Sequence, residues 1–287
     1  MSHGVASLPP LRLDEAAPSL HATLPLRRGR PRTVRIESRG PREAAVYVSG
    51  ARPGTRTTAD IEQAVRHILA LDRDLSGFYA VAAEDPGLAW ATAGAGRMIR
   101  SATVFEEIVK TICTTNCSWA LTTKMVGALV EHLGEPASDA PPVGPFGRAF
   151  PTPEAMASMG ENFYRDVVRS GYRGPYFISL ATSVVSGALD VESWGRAPAD
   201  ELPDDDLDLL LQALPGVGPY AAAHIMLMMG RYSRLILDSW TRPKFLQVAG
   251  MKSAKDSTIL RRFSRYGPYA GLAFWLYLTR DWVAEPV

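Results

Sequence analysis

Two prolines and two glycines between residues 215 and 219 have the spacing of a turn that can bind an anion. Pro215 ends any preceding helix, and Gly216 and Gly218 allow a tight turn whose backbone can approach a ligand closely. Pro219 then begins an apolar helix at the position where its missing N–H costs nothing. The N–H groups and the dipole of such a helix start attract phosphate. An ordinary corner between two helices has the same composition, so the turn alone leaves both interpretations open.

A single carboxylate, Asp238, follows this turn at the end of the apolar run 235–237. An Asp in this position is most often a helix N-cap, whose oxygen accepts backbone N–H bonds. It can also act as an electrostatic catalyst beside a phosphate-binding turn. The two roles are compatible, because a capped carboxylate is both fixed in place and ionised.

The turn and the carboxylate together resemble the helix-hairpin-helix (HhH-GPD) DNA glycosylase superfamily, whose members remove damaged bases from DNA. Four further segments are similar, in the same order, to landmarks of its alkylpurine and 8-oxoguanine branches. These segments are residues 105–119, 150–154, 171–176 and 266–271. The resemblance implies a DNA N-glycosylase of base excision repair, whose partner is double-stranded DNA containing a damaged base.

The resemblance gives Asp238 the catalytic role. An N-glycosidic bond breaks when C1′ of the sugar becomes cation-like, so a fixed anion nearby stabilises the charge that develops. The same carboxylate can orient the attacking water, after the nucleotide has rotated out of the duplex. The residues expected to hold the DNA are Gly216, Val217, Gly218 and Tyr220 for a phosphate, and Asn116 and Trp119 for the orphaned base. Core packing is an equal alternative for Trp119.

Tyr220 departs from the pattern of the bifunctional 8-oxoguanine branch. That branch has at this place a lysine that attacks C1′ and forms a Schiff base, which a tyrosine cannot do. The resemblance therefore implies a monofunctional enzyme that uses water and leaves the abasic site uncut. Lys124 or Lys244 could substitute for the missing lysine, although no motif places either at the sugar.

The family's pattern also implies a base pocket. Its expected residues are Tyr220, His224, Trp240, Phe274 and Trp275. Electron-rich rings favour a positively charged alkylated purine, such as 3-methyladenine, through cation–π attraction. Phe274 replaces the hydrogen-bonding Gln of the 8-oxoguanine branch and cannot read the edge of guanine. Burial in the core is the alternative for these side chains. An oxidised purine or another lesion is the alternative substrate, and a non-catalytic lesion-binding protein is the alternative from a different class.

The residue count limits metal chemistry. Cys113 and Cys117 alone cannot complete a four-ligand site, which excludes the iron–sulfur cluster of the endonuclease III and adenine-mismatch branches. We expect no cofactor other than a structural monovalent cation, which the family binds through backbone carbonyls. The matching positions are Gln212, Leu214 and Val217.

Net charge is +1, but the charges are unevenly distributed. Residues 231–265 contain nine Lys or Arg and two acids, which predicts a face for DNA phosphates or, alternatively, a solvated helical surface. Residues 190–208 contain eight acids and one Arg and are expected to face away from DNA. The chain has neither a long apolar run nor a secretory signal, so we expect no membrane span and a cytoplasmic monomer, nucleoid-associated if bacterial.

Periodicity predicts an α+β protein, with a small antiparallel β-containing N-terminal domain packed on a large all-helical one. Residues 1–20 are expected to be partly disordered, 21–100 to form the first domain and 101–287 the helical catalytic domain. Strands are predicted over 20–26, 33–37 and 45–48. Helices are predicted over 59–71, 75–83, 104–114, 118–133, 153–159, 161–170, 174–187, 205–213, 219–229, 239–248, 256–264 and 268–281.

Overall fold

Helices dominate the computed structural model, which describes residues 4–26, 28–40 and 43–282, and the strands are confined to the first fifty residues. The strands are β1 (Leu11–Asp14), β2 (Ser19–Leu24), β3 (Arg32–Gly40) and β4 (Glu43–Val48). The α-helices are α1 (Thr55–Ile68), α2 (Ser76–Ala83), α3 (Val104–Thr114), α4 (Trp119–Leu133), α5 (Pro153–Ala157), α6 (Glu161–Asp166), α7 (Gly174–Val185), α8 (Val191–Arg196), α9 (Asp204–Gln212), α10 (Pro219–Met229), α11 (Thr241–Ala249), α12 (Asp256–Phe263) and α13 (Ala270–Thr279). None of the helices described is long and apolar enough to span a bilayer. The predicted α+β class is confirmed.

The chain forms two compact units, each built from two main stretches of sequence. Within the described residues, the sheet unit comprises 4–68 and 100–196, and the hairpin unit comprises 69–99 and 197–282. The sequence predicted instead a division into 21–100 and 101–287. Periodicity within a segment carries no signal for a unit assembled from distant stretches, because that association depends on tertiary contacts.

The sheet unit contains one antiparallel sheet in the order β1-β2-β3-β4. Leu20 pairs with Ile36 and Ala22 pairs with Val34, and all four side chains are buried. These four residues share one buried face of the two central strands, and on the other face of β2 Ser19 and Thr23 are buried as well. The three predicted strands are confirmed. Strand β1 was not predicted, since four residues are too few to establish a period.

The N-terminal segment was expected to be partly disordered, and its first three residues lie outside the described part. Residues 4–20 instead form a 3-10 turn and β1, with Val5, Ala6 and Leu8 buried. The buried ammonium group of Lys110 donates a hydrogen bond to the Leu8 carbonyl. Apolar side chains that pack individually leave no regular period, so periodicity could not predict this order.

Helix α8, which was not predicted, holds the start of α3. The Glu192 carboxylate accepts hydrogen bonds from the N–H groups of Val104 (3.1 Å) and Phe105 (3.0 Å). Thr103 Oγ1 accepts a third from Glu106 N–H at 3.1 Å. These acceptors satisfy N–H groups that no earlier helical turn can reach. These bonds fix the start of α3, the helix that leads into the loop after Thr114.

Helix α13 lies at the centre of the hairpin unit, where nine of its ten residues are buried. Its aromatic side chains pack with those of the neighbouring helices. The rings of Phe263 and Phe274 pack edge to face, with their centroids 5.1 Å apart. Gly271, near its start, has no room for a side chain, because a Cβ atom would collide with the Arg234 carbonyl. The Gly271 N–H donates to the Tyr232 carbonyl at 2.7 Å. The loop after α10 is thus fixed to the start of α13.

Candidate active site

The predicted hairpin is formed by α9, a turn over residues 213–218 and α10. The N–H of Val217 donates to the Leu214 carbonyl at 3.1 Å, and both side chains are buried, so the turn is anchored from inside. Gly216 has a φ of 82°, a conformation in which a side chain is strained.

The start of α10 is open at the surface. Gly218, its N-cap, is exposed, and a Cβ atom added there would meet nothing within 4 Å. No side chain among the described residues caps this helix. Because the first N–H groups of a helix have no intrahelical acceptor, this start offers donors and a positive dipole end to an incoming anion. The turn is therefore compatible with the predicted phosphate site, which stays a prediction.

Asp238 lies two residues before Trp240, the N-cap of α11, and is partly exposed. Its Oδ1 accepts hydrogen bonds from the N–H groups of Trp240 (2.9 Å) and Thr241 (2.6 Å). Thr241 Oγ1 in turn accepts the N–H of Asp238 at 2.8 Å. The bonds that the described residues make to this carboxylate all go to Oδ1, which leaves Oδ2 open. Both functions considered for Asp238, a helix cap and a fixed anion, are therefore compatible with the structure.

His224 faces this carboxylate from the second turn of α10. It is buried, and burial lowers the pKa of its imidazole to about 4, against the opposing effect of the Asp238 charge. The ring is therefore neutral near pH 7 and does not neutralise Asp238. Tyr220, one helical turn earlier, stands with its ring centroid 6.3 Å from that of His224.

Three tryptophans form a cluster that begins two residues after Asp238. The ring centroids of Trp240 and Trp275 are 5.8 Å apart, and Trp282 lies 5.6 Å from Trp240 and 5.9 Å from Trp275. Trp240 and Trp282 are exposed by 40% and 36%, whereas Trp275 is largely buried. Sequence reasoning missed Trp282, which no motif marks and which reaches the cluster only through the fold.

Phe274 does not line an open pocket. It is fully buried and packs against Phe245 and Phe263 in the aromatic core. In this structure Phe274 belongs to the aromatic core, and its predicted place in a base pocket stays a prediction. Neighbouring side chains on a helix point in different directions. Trp275 therefore packs in the tryptophan cluster, and Phe274 points into the aromatic core.

The basic segment 231–265 offers fewer free cations than its net charge suggests. Five of its nine basic side chains are engaged with aspartates: Arg231 with Asp204, Arg234 with Asp205 and Asp208, Arg242 with Asp256, Lys244 with Asp281, and Arg265 with Asp85. Lys252, Lys255 and Arg261 are exposed and have no ion pair among the described residues. Those three are the best remaining candidates for phosphate contacts in this segment.

The sheet unit carries the other predicted DNA contacts on the loop between α3 and α4. Asn116 is exposed, has a φ of 48°, and its amide donates to the Tyr172 hydroxyl at 3.3 Å. The buried Arg173 guanidinium holds this loop by donating to the carbonyls of Ile112 (3.2 Å) and Thr115. The structure thus presents Asn116 at a rigid loop tip, beside an exposed Tyr172 that the prediction did not include.

Trp119 begins α4 and is 46% exposed. The edge of its ring rests against Gly4, where a Cβ atom would come within 3.0 Å. The side chain is therefore supported by the N-terminal 3-10 turn while its remaining surface stays accessible. Full core packing, the alternative considered from the sequence, does not occur.

The predicted cation ligands lie in the hairpin turn. The Gln212 side chain donates to Asp208 Oδ1 at 2.8 Å, and the Leu214 carbonyl accepts the Val217 N–H. Within the part of the chain that the structure describes, no group of three or more His, Cys, Asp or Glu side chains is suited to holding a metal ion. A monovalent cation on the three backbone carbonyls stays a prediction.

The sequence matches no protein-family model and no curated protein. Solved structures do match along nearly the whole chain. The 3-methyladenine DNA glycosylase from Archaeoglobus fulgidus has a TM-score of 0.73 at 16% identity, covering 99% of this chain and 94% of that one. The 8-oxoguanine glycosylase/lyase of Clostridium acetobutylicum, bound to double-stranded DNA with cytosine opposite 8-oxoguanine, has 0.71 at 18%, covering 98% and 92%. MBOgg1 with a low-affinity DNA ligand has 0.72 at 19%, covering 95% and 88%.

The fold is that of the helix-hairpin-helix DNA glycosylases. At these identities the likeness concerns the fold alone, and both the alkylpurine and the 8-oxoguanine branches are represented among the similar structures. The glycosylase fold confirms the predicted resemblance. Which base this chain handles, and by which chemistry, depends on its own side chains.

Proposed function

We propose that this protein is a monofunctional DNA glycosylase. It hydrolyses the N-glycosidic bond of a damaged, alkylated purine that has been flipped out of the duplex, and it leaves an abasic site. The observation that carries the proposal is the Asp238 carboxylate, with one oxygen fixed by two backbone N–H groups and the other open, in the same compact unit as an uncapped helix start.

Asp238 supplies the negative charge that the reaction needs. As the base leaves, positive charge develops at C1′, and an anion already held in place stabilises it without reorganising. The open Oδ2 can also accept a proton from the attacking water. The open start of α10, with Gly216, Val217, Gly218 and Tyr220, holds a phosphate of the same strand. We assign the orphaned base to the Asn116 loop with Trp119, as the fold's resemblance implies.

Water is the nucleophile in this proposal. Tyr220 replaces the lysine that forms a Schiff base in the bifunctional branch, and its phenol cannot form an imine. Lys244, one of the two possible substitutes, donates to Asp281 Oδ2 at 2.6 Å and so has a different partner. The expected product is an abasic site in an uncut strand.

The tryptophan cluster supports an alkylated substrate. Trp240, Trp275 and Trp282 present electron-rich faces, which attract a purine made cationic by alkylation more strongly than a neutral base. The neutral His224 adds no competing positive charge at this end of α10. The proposal further includes a monomer acting in the cytoplasm and a monovalent cation on the carbonyls of Gln212, Leu214 and Val217.

The test uses duplexes that each carry one lesion: an N-alkylated purine, 8-oxoguanine, hypoxanthine or uracil, together with an undamaged control. After incubation, half of each sample is treated with hot alkali, which breaks the strand at abasic sites. We expect breaks with the alkylated purine, only after alkali, and none with Asp238→Asn. The matched control is Asp256→Asn, which removes a carboxylate at the start of α12 in the same unit. We expect this variant to keep wild-type activity.

Three other outcomes would each favour a different function. Strand breaks without alkali, together with a covalent adduct trapped by borohydride, would show a lyase and overturn the monofunctional proposal. Activity on 8-oxoguanine alone would favour the oxidised-purine alternative. Tight binding to a lesion without base release on any duplex would favour a non-catalytic lesion-binding protein.

A further inference from the structure

Two arginines on the loop after α10 bind aspartates on α9. Arg231 donates from Nε to Asp204 Oδ1 at 2.6 Å. Arg234 donates from Nε to Asp208 Oδ2 at 3.1 Å and from a terminal nitrogen to Asp205. The acidic first turn of α9, which the sequence suggested would merely face away from DNA, thus holds the loop that leads to Asp238.

The order of these contacts gives the loop a direction. Arg231 follows the end of α10 and binds at the start of α9, so the two helices are antiparallel. Arg234 binds Asp205, the next residue of α9, and Asp208, one turn further along and about 6 Å nearer the hairpin turn at 1.5 Å per residue. The loop therefore runs along α9 back towards the hairpin, and Asp238 comes four residues later. The effect of the Asp238 charge on His224, in the second turn of α10, agrees with this course.

The opposite side of the loop is also fixed. Gly271 of α13 bonds the Tyr232 carbonyl and leaves no space between itself and the Arg234 backbone. Leu235 and Ile236, the next two residues, are buried. The side-chain contacts that join this loop to α9 come from Arg231 and Arg234, and Arg234 is the nearer of the two to Asp238 in the sequence.

Arg234 also connects to the turn itself. Asp208 accepts Arg234 on Oδ2 and the Gln212 side chain on Oδ1, and Gln212 is the last residue of α9. A planar guanidinium can bind two carboxylates at once, which an ammonium group on a flexible chain does less well. Arg234 is only partly buried, with 34% of its side chain exposed, so it can be replaced without opening the core.

We propose that Arg234 is a positioning residue, which holds Asp238 in register with the phosphate-binding turn by binding Asp205 and Asp208 of α9. The inference rests on the proposed function, because register matters only if the two sites act on one nucleotide. Displacing a catalytic group by about 1 Å can cost on the order of 100-fold in rate, even when the change is remote from the chemistry. Arg234 is therefore expected to affect base release and not DNA affinity.

The experiment compares Arg234→Gln, Arg234→Lys and the control Arg265→Gln in the full-length protein. Arg265 is an exposed arginine of the same unit that binds Asp85. Its loss removes one charge and one ion pair, whereas the loss of Arg234 removes one charge and two ion pairs. Two quantities are measured on the alkylated duplex: the single-turnover rate constant of base release, and the Kd for a duplex with a non-cleavable abasic analogue. Hydrogen exchange of residues 235–242 reports on the loop without requiring activity.

We expect Arg234→Gln to lower the rate constant 10- to 100-fold, with Kd within about threefold of wild type and faster exchange in residues 235–242. Arg234→Lys restores part of the rate, and Arg265→Gln leaves rate and exchange unchanged. An unchanged rate with Arg234→Gln overturns the proposal, as does a Kd that rises in step with the loss of rate, since that would make Arg234 a phosphate contact. If wild type releases no base, the proposed function fails, whereas unchanged exchange in Arg234→Gln defeats the positioning claim independently.

Discussion

Helices α10 and α11 begin in the same compact unit, but their first turns are completed in opposite ways. At α11 the protein supplies its own anion, because the Asp238 carboxylate accepts two backbone N–H bonds. The Thr241 hydroxyl oxygen in turn accepts the N–H of Asp238. At α10 the cap is an exposed glycine without any side-chain acceptor among the described residues. Unpaired N–H groups favour an anion at both starts. The difference fits the proposal above, in which α11 holds the catalytic anion and α10 receives a phosphate of the DNA.

The strongest test of the comparison removes the charge at α11 without removing the cap. Asp238→Asn keeps an oxygen that can accept from Trp240 and Thr241, whereas Asp238→Ala keeps neither charge nor cap. We expect both variants to lower base release by about 100- to 1000-fold, since each loses the anion beside C1′. Only Asp238→Ala should also lose about 1 kcal/mol of unfolding free energy, measured by denaturant titration. Activity retained in Asp238→Asn would mean that the carboxylate is only a cap.

The second test gives α10 the kind of cap that α11 has. Gly218 has extended backbone angles and open space around it, so Gly218→Asp fits without strain. The new carboxylate would cap α10 and raise the unfolding free energy by a few tenths of a kcal/mol. It would also repel phosphate, and we expect the Kd for lesion-containing duplex to rise about tenfold or more at low salt.

Gly218→Ser serves as the matched variant for this test, because serine caps the helix without adding charge. Its Kd should stay within about threefold of wild type if charge is the cause. Equal losses in both variants would instead point to occupation of the space itself. An unchanged Kd in Gly218→Asp would show that DNA does not approach the start of α10.

Local signals in the sequence were sufficient for much of this site. The prolines and glycines of residues 215–219 act on their own backbone, so the turn and the start of α10 follow directly from residue type. Asp238 was predicted as a cap for the same reason, because the N–H groups that donate to it lie two and three residues ahead. Helices with a long apolar period were also predicted closely, as with α10 itself.

Contacts between distant residues were not predictable in this way. Arg231 and Arg234 were counted as cations available to DNA, but their partners stand 26 to 29 residues away on α9. Phe274 was matched to a pocket position by the resemblance, although the aromatic core around α13 determines which way it points. Trp282 joins Trp240 and Trp275 only through the fold. Each of these outcomes depends on tertiary packing, which residue spacing does not encode.

A smaller effect is expected from the other half of the α11 cap. Thr241 is fully buried, and its hydroxyl oxygen accepts the Asp238 N–H at 2.8 Å. Thr241→Val keeps the shape but leaves that N–H without its acceptor, which should cost about 1 to 2 kcal/mol of unfolding free energy. We expect base release to fall three- to fivefold as Asp238 becomes less well fixed. Thr241→Ser, which keeps the hydroxyl, should recover the rate. Equal rates in the two variants would show that this hydrogen bond to Asp238 does not affect base release.

The smallest effect concerns pH and the imidazole of His224, which lies in the second turn of α10. Burial lowers its pKa to about 4, against the raising effect of Asp238, whereas the pKa in the unfolded chain is about 6.5. Below pH 6.5 the unfolded chain therefore binds a proton that the folded protein does not. The stabilisation is fully present above that pH and is lost as the pH falls towards 4, by about 1 kcal/mol at pH 5.5.

Denaturant titrations of wild type and His224→Gln at several values between pH 5 and 7.5 would measure this loss. The wild-type unfolding free energy should fall more steeply with decreasing pH than that of the variant, with the two slopes equal above pH 7. Parallel curves throughout would mean that the imidazole takes up protons in the folded protein as readily as in the unfolded chain. The positive charge would then partly neutralise Asp238 at acidic pH, and base release by the wild type would decline there while its stability did not.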